Sequence, residues 1–161
     1  MLSLSKIEGQ SILTDKRRFN VSEQIRLVIA LLDGKWADKH IIFDFDCGER
    51  YLVGNEELLK QVWINLLDNA VKFSPNGGTV TIHITEMVSG TKITVTDEGN
   101  GIPEKVLPHI FDKFYQGDSS HATKGNGLGL TIVNKIVNLH GGRITVDSGI
   151  NGTTFAVILP K

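Results

Sequence analysis

The sequence predicts an α/β (α+β) fold: a two-layer sandwich in which a mixed, mostly antiparallel sheet lies against about three helices. Two observations predict it. Apolar residues recur at helical spacing in three separated stretches, beginning near Glu23, Asn55 and Leu128. Beside them, strand-like runs come as neighbouring pairs joined by short turns. Such runs pair antiparallel and stand apart from the helices.

The elements follow in order. Leu2 to Glu8 reads as a frayed helical tail that Gly9-Gln10 interrupts. A short strand is expected over Arg18 to Val21. Ser22 is the candidate N-cap of the first helix, Glu23 to Ala37, with Ile25, Val28, Ile29 and Leu32 on its inner face. Ile41 to Asp46 alternates apolar and polar residues as a strand does, and a short strand follows at Tyr51 to Val53. The second helix starts at Asn55 and stops at Ser74-Pro75-Asn76-Gly77-Gly78. Thr79 to Glu86 and Lys92 to Asp97 form a hairpin around Ser89-Gly90. The third helix, Leu128 to His140, ends on Gly141-Gly142. Arg143 to Ser148 and Thr153 to Leu159 close the chain as a hairpin through Gly149 to Gly152.

Composition narrows the class. A chain of 161 residues fits one domain that buries roughly 70% of its extended-chain surface. A net charge of −1 leaves no electrostatic footprint for nucleic acid, and Lys16-Arg17-Arg18 is too short a basic run to make one. The single cysteine, Cys47, excludes an internal disulfide. No apolar run approaches the ~18 residues that cross a bilayer, so no membrane contact is expected of this chain. Glycine is in excess at 17 residues, many of them clustered, which marks tight turns or close backbone approach to a ligand.

The second helix carries chemistry. Asn65, Asn69 and Lys72 stand at i, i+4 and i+7, a polar stripe on a helix otherwise apolar through Leu59, Val62, Leu66 and Ala70. A neutral amide oxygen one turn from a lysine suits Mg²⁺ held against phosphates, because Mg²⁺ keeps waters and takes only one or two protein ligands. The lysine then acts as a point charge on phosphate oxygens. Taken alone, a solvated polar face explains the stripe equally well. Two further motifs break the tie. Asp97-Glu98-Gly99-Asn100-Gly101 follows the apolar run Ile93 to Thr96, and Gly125-Asn126-Gly127-Leu128-Gly129-Leu130 opens the third helix. The second motif lacks the Gly-Lys-Ser/Thr of a Walker loop, and Gly101 is followed by Ile102-Pro103-Glu104, which is no dinucleotide fingerprint.

In this order the three motifs resemble the N box and the two glycine boxes of sensor histidine kinases, members of the superfamily of gyrase, Hsp90-type chaperones and MutL. The resemblance runs from about Asn20 to the C-terminus. It implies a Bergerat-type ATP-binding fold, with ATP and Mg²⁺ as cofactors. Asn69 would be the metal ligand and Lys72 the phosphate contact, together the catalytic pair, with Asn65 supporting them through water. Asp97 stands where the family's adenine-reading carboxylate belongs. An ionised carboxylate only accepts hydrogen bonds, so it welcomes adenine's amine and repels guanine's carbonyl. Gly99 and Gly101 would let the turn pass close to the base, beside Ile102. Phe73 would pack near the adenine or in the core. Gly125, Gly127 and Gly129 precede a helix, so backbone N–H groups and the helix dipole face the phosphates, flanked by Leu128 and Leu130. Thr154 completes the expected site.

Ile110 to Gln116 is similar to the family's F box, with Phe114 beside the nucleotide. The polar, small-residue stretch Gly117 to Lys124 reads as a lid. Lys124 either reaches a phosphate from it or is solvated. Lys113 and Gln116 depart from the arginines frequent at those places, which puts the lid's contribution to catalysis in doubt.

The residue that activates water in ATP-hydrolysing relatives is a glutamate one turn before the metal asparagine, and here that position is Asn65. Asp68 lies about 100° around the helix from Asn69. Efficient hydrolysis is therefore not expected. His40, His83, His109, His121 and His140 all lack the family's phosphoacceptor context, and His140 before Gly141-Gly142 matches a structural helix end. The resemblance thus implies the catalytic domain of a two-component histidine kinase, transferring the γ-phosphate to a histidine on a separate dimerisation domain. Residues 1–18 would be the end of the dimerisation helix and linker, and 19–161 the catalytic domain. A response regulator receiver domain is the partner of the parent, this part being monomeric and cytoplasmic beside a membrane-anchored portion. Three alternatives stay open: an ATPase of the same superfamily, a nucleotide-gated regulatory module without transfer, and a serine kinase of the anti-sigma-factor type.

Overall fold

The computed structural model describes residues 13–45, 47–111 and 126–160, with residues 126–129 described as backbone only. A strand β1 (Arg17–Asn20) leads directly into helix α1 (Val21–Lys35). The helix is capped by Asn20, whose side chain accepts from the Glu23 N–H at 3.0 Å. Ser22, expected as the cap, lies fully buried instead, donating to the Gly48 carbonyl at 2.8 Å and accepting from the Arg50 N–H at 3.0 Å. Asn20 and Ser22, two residues apart, offer the same local capping chemistry, and tertiary contacts chose between them. Buried Val21, Ile25, Val28 and Leu32 form the inner face of α1, while Ile29 is only half-buried.

A 3₁₀ turn (Ala37–Lys39) and strand β2 (Ile42–Asp44) follow, then β3 (Tyr51–Gly54). Helix α2 (Glu56–Phe73) starts on Asn55, which accepts from the Leu58 N–H at 3.0 Å, and carries Glu56 and Glu57 in its first turn. Both features favour a helix start. β4 (Thr79–Met87) and β5 (Gly90–Asp97) form a hairpin whose turn is Val88-Ser89, since Met87 is paired with Gly90. A second 3₁₀ turn (Leu107–His109) precedes helix α3 (Asn126–Leu139). β6 (Arg143–Gly149) and β7 (Gly152–Pro160) close the chain.

Five strands make one sheet in the order β2-β4-β5-β7-β6. The β2–β4 pair is parallel and the others antiparallel, so the sheet is mixed and mostly antiparallel as expected. β1 and β3 form a separate antiparallel pair. Burial alternates along the central strands: Val80, Ile82 and Ile84 of β4, Ile93 and Val95 of β5, and Phe155, Val157 and Leu159 of β7 are buried. That one-sided pattern is what an antiparallel sheet covered on a single face requires. The helices supply the cover through Leu59, Val62, Trp63, Leu66, Val133 and Ile136. At the centre, Trp63 is 1% exposed, and its indole N–H donates to Gln24 Oε1 at 2.7 Å. Gln24 in turn donates to the Glu56 carbonyl at 2.8 Å, so the polar atoms that join α1 to α2 are paired.

Candidate functional site

Asp97 ends β5 with only 6% of its surface exposed. Its carboxylate accepts from the Gly99 N–H at 2.8 Å and from the Thr153 backbone amide. Burial pushes its pKa above the ordinary carboxylate range, and the two amide donors oppose that rise. Strand register opposes Asp97 with Thr153 and Thr153 with Ser148. These three polar side chains therefore form a row on the helix-covered face at one end of the sheet. The Ser148 and Thr153 hydroxyl oxygens are 2.9 Å apart, and the Ile102 N–H donates to Ser148 Oγ at 2.6 Å.

Thr154 does not join this row. It opposes Thr96 across the strands, with the two hydroxyls 2.9 Å apart, on the face away from the helices. A one-residue offset moves a strand side chain to the other face, so Thr153 occupies the place expected of Thr154. The alternation Phe155, Val157, Leu159 was the signal that could have found it, because it puts Thr153 on the core side.

The end of α2 meets the loop after Asp97. Gly99 lies so near this end that a Cβ there would sit 2.5 Å from the Phe73 carbonyl oxygen. Gly101 has φ +84°, and a Cβ there would sit 2.1 Å from the Gly149 carbonyl oxygen. The space that each glycine leaves is taken by the chain's own backbone rather than opened to a base. Phe73 itself is 52% exposed, which rules out the core alternative for its ring.

Asn65, Asn69 and Lys72 are half-buried along one stripe of α2, beside the fully covered positions Leu66, Leu67, Ala70 and Val71. Burial lowers the pKa of Lys72; Asp68 opposes that shift and Lys35 adds to it. Asp68 accepts from the Trp36 indole at 2.7 Å and pairs with Lys35 at 3.2 Å. It is thus held toward α1. Among the described residues no group of three or more His, Cys, Asp or Glu side chains could cage a metal. The donor set on α2 instead suits a cation that brings phosphate and water oxygens with it, as Mg²⁺ does.

Helix direction brings the third motif alongside. The Asn55 N–H donates to His140 Nε2 at 3.0 Å, so the start of α2 lies against the end of α3 and the two helices run antiparallel. Asn69 is 14 residues past Asn55, and α3 has 14 residues. At about 1.5 Å per residue, the N-terminus of α3 is roughly level with Asn69. α3 begins at Asn126, so Gly127 and Gly129 fall inside its first turn rather than before it. The N–H groups of that turn have no intrahelical partners, which is what an anion requires. Leu130 is 8% exposed and belongs to the core, not to an open pocket. Ile102 is half-buried against the core. Ile110 is buried, and Phe111 packs edge-on against Phe155 at 6.5 Å between ring centroids. Phe114, Lys113, Gln116, Lys124 and Gly125 lie outside the described residues, as does the expected lid, and Leu128 is described only as helical backbone.

The sequence profile of the family described as histidine kinase-, DNA gyrase B-, and HSP90-like ATPase matches residues 54–161. Sporulation kinase A of Bacillus subtilis is 40% identical over 165 residues, covering 100% of this chain and 26% of that protein. Sensor histidine kinase CusS of Escherichia coli O6:H1 is 31% identical over 162 residues, covering 99% of this chain and 34% of its own length. The chain spans between 12% and 35% of the length of the first such relatives. Among solved structures, the nucleotide-free catalytic domain of histidine kinase ThkA superposes with a TM-score of 0.81 at 32% identity, covering 92% of this chain and 97% of that one. ThkA in complex with response regulator protein TrrA superposes with a TM-score of 0.75 at 30% identity, covering 91% of this chain and 42% of that one. Three motifs at one end of a one-sided sandwich, and a profile match over most of the chain, lead to one conclusion: this chain belongs to the histidine kinase-, DNA gyrase B- and HSP90-like ATPase family, with sensor histidine kinases as its relatives.

Proposed function

We propose that this domain binds Mg·ATP and passes the γ-phosphate to a histidine on a separate dimerisation domain, as part of a two-component sensor kinase. The observation that carries the reading is the buried Asp97 carboxylate beside Thr153, at the end of α2 where Lys72 and Phe73 sit. Asp97 accepts the adenine amine, and its neighbours Gly99, Gly101 and Ile102 hold the loop that shapes the base pocket. Asn69 and Asn65 offer amide oxygens to Mg²⁺, directly or through water. These two amides would hold the ion, and the chemistry it would supply is neutralisation of the phosphate charge. Lys72 contacts phosphate oxygens as a point charge, and the first-turn amides of α3, at Gly127 and Gly129, receive the remaining charge.

Position and charge neutralisation are most of what a protein contributes to phosphoryl transfer. The general base then belongs beside the acceptor histidine. Asn65, where hydrolytic relatives place a water-activating glutamate, keeps the nucleotide from being spent on water. In this reading residues 1–18 lead from the dimerisation helix, 19–161 form the catalytic domain, and a response regulator accepts the phosphate downstream. The relative ThkA, solved with a response regulator, supports that last partner.

The test uses radiolabelled ATP with Mg²⁺. The domain alone binds ATP and does not label itself, and added dimerisation domain from the parent kinase becomes labelled on histidine. Strong labelling of the domain by itself, or transfer at full rate by Asn69→Ala, would overturn the assignment.

A further inference from the structure

The segment that leaves α1 touches α2 at positions one helical turn apart. Trp36 Nε1 donates to Asp68 Oδ1 at 2.7 Å, and Lys35 Nζ pairs with the same oxygen at 3.2 Å. Lys39 Nζ donates to the carbonyls of Val71 at 2.6 Å and Lys72 at 2.7 Å. Its ammonium lies 5.7 Å from the centre of the Trp36 ring. The Val71 and Lys72 carbonyls are among the last four of α2, past the reach of the N–H groups of α2 itself, and Val71 otherwise has the Ser74 cap N–H at 3.2 Å. Ser74 serves the other side of this end, its N–H reaching Ala70 and Val71 and its hydroxyl donating to Ala70 at 2.7 Å.

A cation at a helix C-terminus is favoured by the helix dipole, and charged hydrogen bonds are the strong ones. Burial lowers the pKa of Lys39, so the two carbonyls replace water that its ammonium has given up. On its opposite flank the same last turn meets Gly99, through the Phe73 carbonyl. Lys72 springs from this turn, and its amine feels both Asp68 and Lys35.

We propose that Lys39 is a positioning residue for the nucleotide's phosphates: by capping α2 it sets where Lys72 stands and which way its side chain leaves the helix. The inference rests on the reading of Lys72 as the phosphate contact. Without Lys39 the last turn loses two charged hydrogen bonds and frays. The Lys72 amine is then averaged over many positions, while the Asp97 row, built on strands, stays in place. Phosphate recognition should therefore suffer and base recognition should not.

The test compares Mg·ATP and adenosine as ligands of the whole chain. Dissociation constants come from calorimetry and NMR titration, and hydrogen exchange is read at the amides of residues 71–74. Lys39→Met is expected to weaken Mg·ATP binding roughly tenfold, about the loss of one charged hydrogen bond, with adenosine affinity unchanged and exchange faster. Lys39→Arg restores both. Should Lys39→Met not fold, Lys39→Gln carries the same comparison. Equal loss of both ligands, or exchange no faster than in the parent chain, overturns the proposal and leaves Lys39 a simple staple. Lys72→Met is the control. It should lose the ATP preference without changing exchange. If it keeps that preference, the assignment of Lys72 itself falls, and the inference falls with it for a reason that the exchange data separate.

Discussion

Asp97 is buried at 6% exposure with two backbone amides for company, and its raised pKa records the cost of keeping a charge there. For a carboxyl whose folded pKa lies above its unfolded value, the contribution to stability is full below the unfolded pKa of about 4 and is lost as pH rises through the folded value. Mild acidification should thus ease this site's burden on the fold while it removes the charge that the proposed adenine contact needs. ATP affinity is expected to fall at a pH above the ordinary carboxylate range, with the protonation of this carboxyl itself costing the ligand-free domain no thermal stability. Titration calorimetry and melting curves over the same pH series check it. Asp97→Asn should reproduce that outcome at neutral pH: a folded domain that binds ATP at least about tenfold more weakly, the equivalent of one buried hydrogen bond. A variant that kept full affinity would remove Asp97 from the site. The carboxylate was legible in sequence only through the resemblance of the three motifs together, because Asp-x-Gly-x-Gly by itself reads as an ordinary turn. Its neighbour was not read correctly, since Thr153 and Thr154 differ only in which face of β7 they occupy.

α2 is fastened at both ends. At its start, His140 donates from Nδ1 to the Ile136 carbonyl at 2.8 Å and accepts the Asn55 N–H at Nε2, which fixes a neutral ring. Burial lowers the pKa of His140; the Ile136 bond opposes the shift and Lys16 adds to it. A depressed pKa contributes stability that is present above the ordinary histidine value of about 6.5 and lost as pH falls through the folded value. His140→Phe should destabilise the domain by about 1–3 kcal/mol at neutral pH, since it leaves the Asn55 amide unpaired. The gap to wild type should close on acidification, as melting curves at a series of pH values would record. At the other end, Gly99→Ala drives a methyl group against the Phe73 carbonyl at 2.5 Å. Overpacking of that kind costs typically about 1–3 kcal/mol, and here it also displaces the loop behind Asp97. ATP binding should weaken together with the thermal midpoint, and a Gly99→Ala domain with unchanged affinity would show that the loop can shift freely. Helix existence was legible from apolar period and from Asn55; the clamp by Lys39 was not, because a lysine in a polar turn reads as solvated until the packing of α1 on α2 is known.

The two sheets share one core. Phe19 of β1 and Leu52 of β3 pack into the cluster that also holds Trp63, Ile82, Ile93, Ile136 and Val157. Because no part of it buries its apolar face independently, denaturant should unfold it in one cooperative step. Tryptophan fluorescence, which reports on the buried Trp63 and the half-buried Trp36, and far-ultraviolet circular dichroism should give coincident transitions. Separated transitions would mean that the β1–β3 pair or α3 unfolds by itself.

Local spacing, then, was enough for the helices, the hairpins and the three motifs that name the family. Periodicity and turn chemistry act over a few residues, and one chain displays them in full. Choices between near-equivalent neighbours came only with the folded chain. Asn20 rather than Ser22 caps α1, Thr153 rather than Thr154 stands beside Asp97, and Gly99 and Gly101 make room for the chain's own carbonyls. Each of these depends on which distant backbone atom arrives at a given face. That is a property of packing, and no local pattern records it.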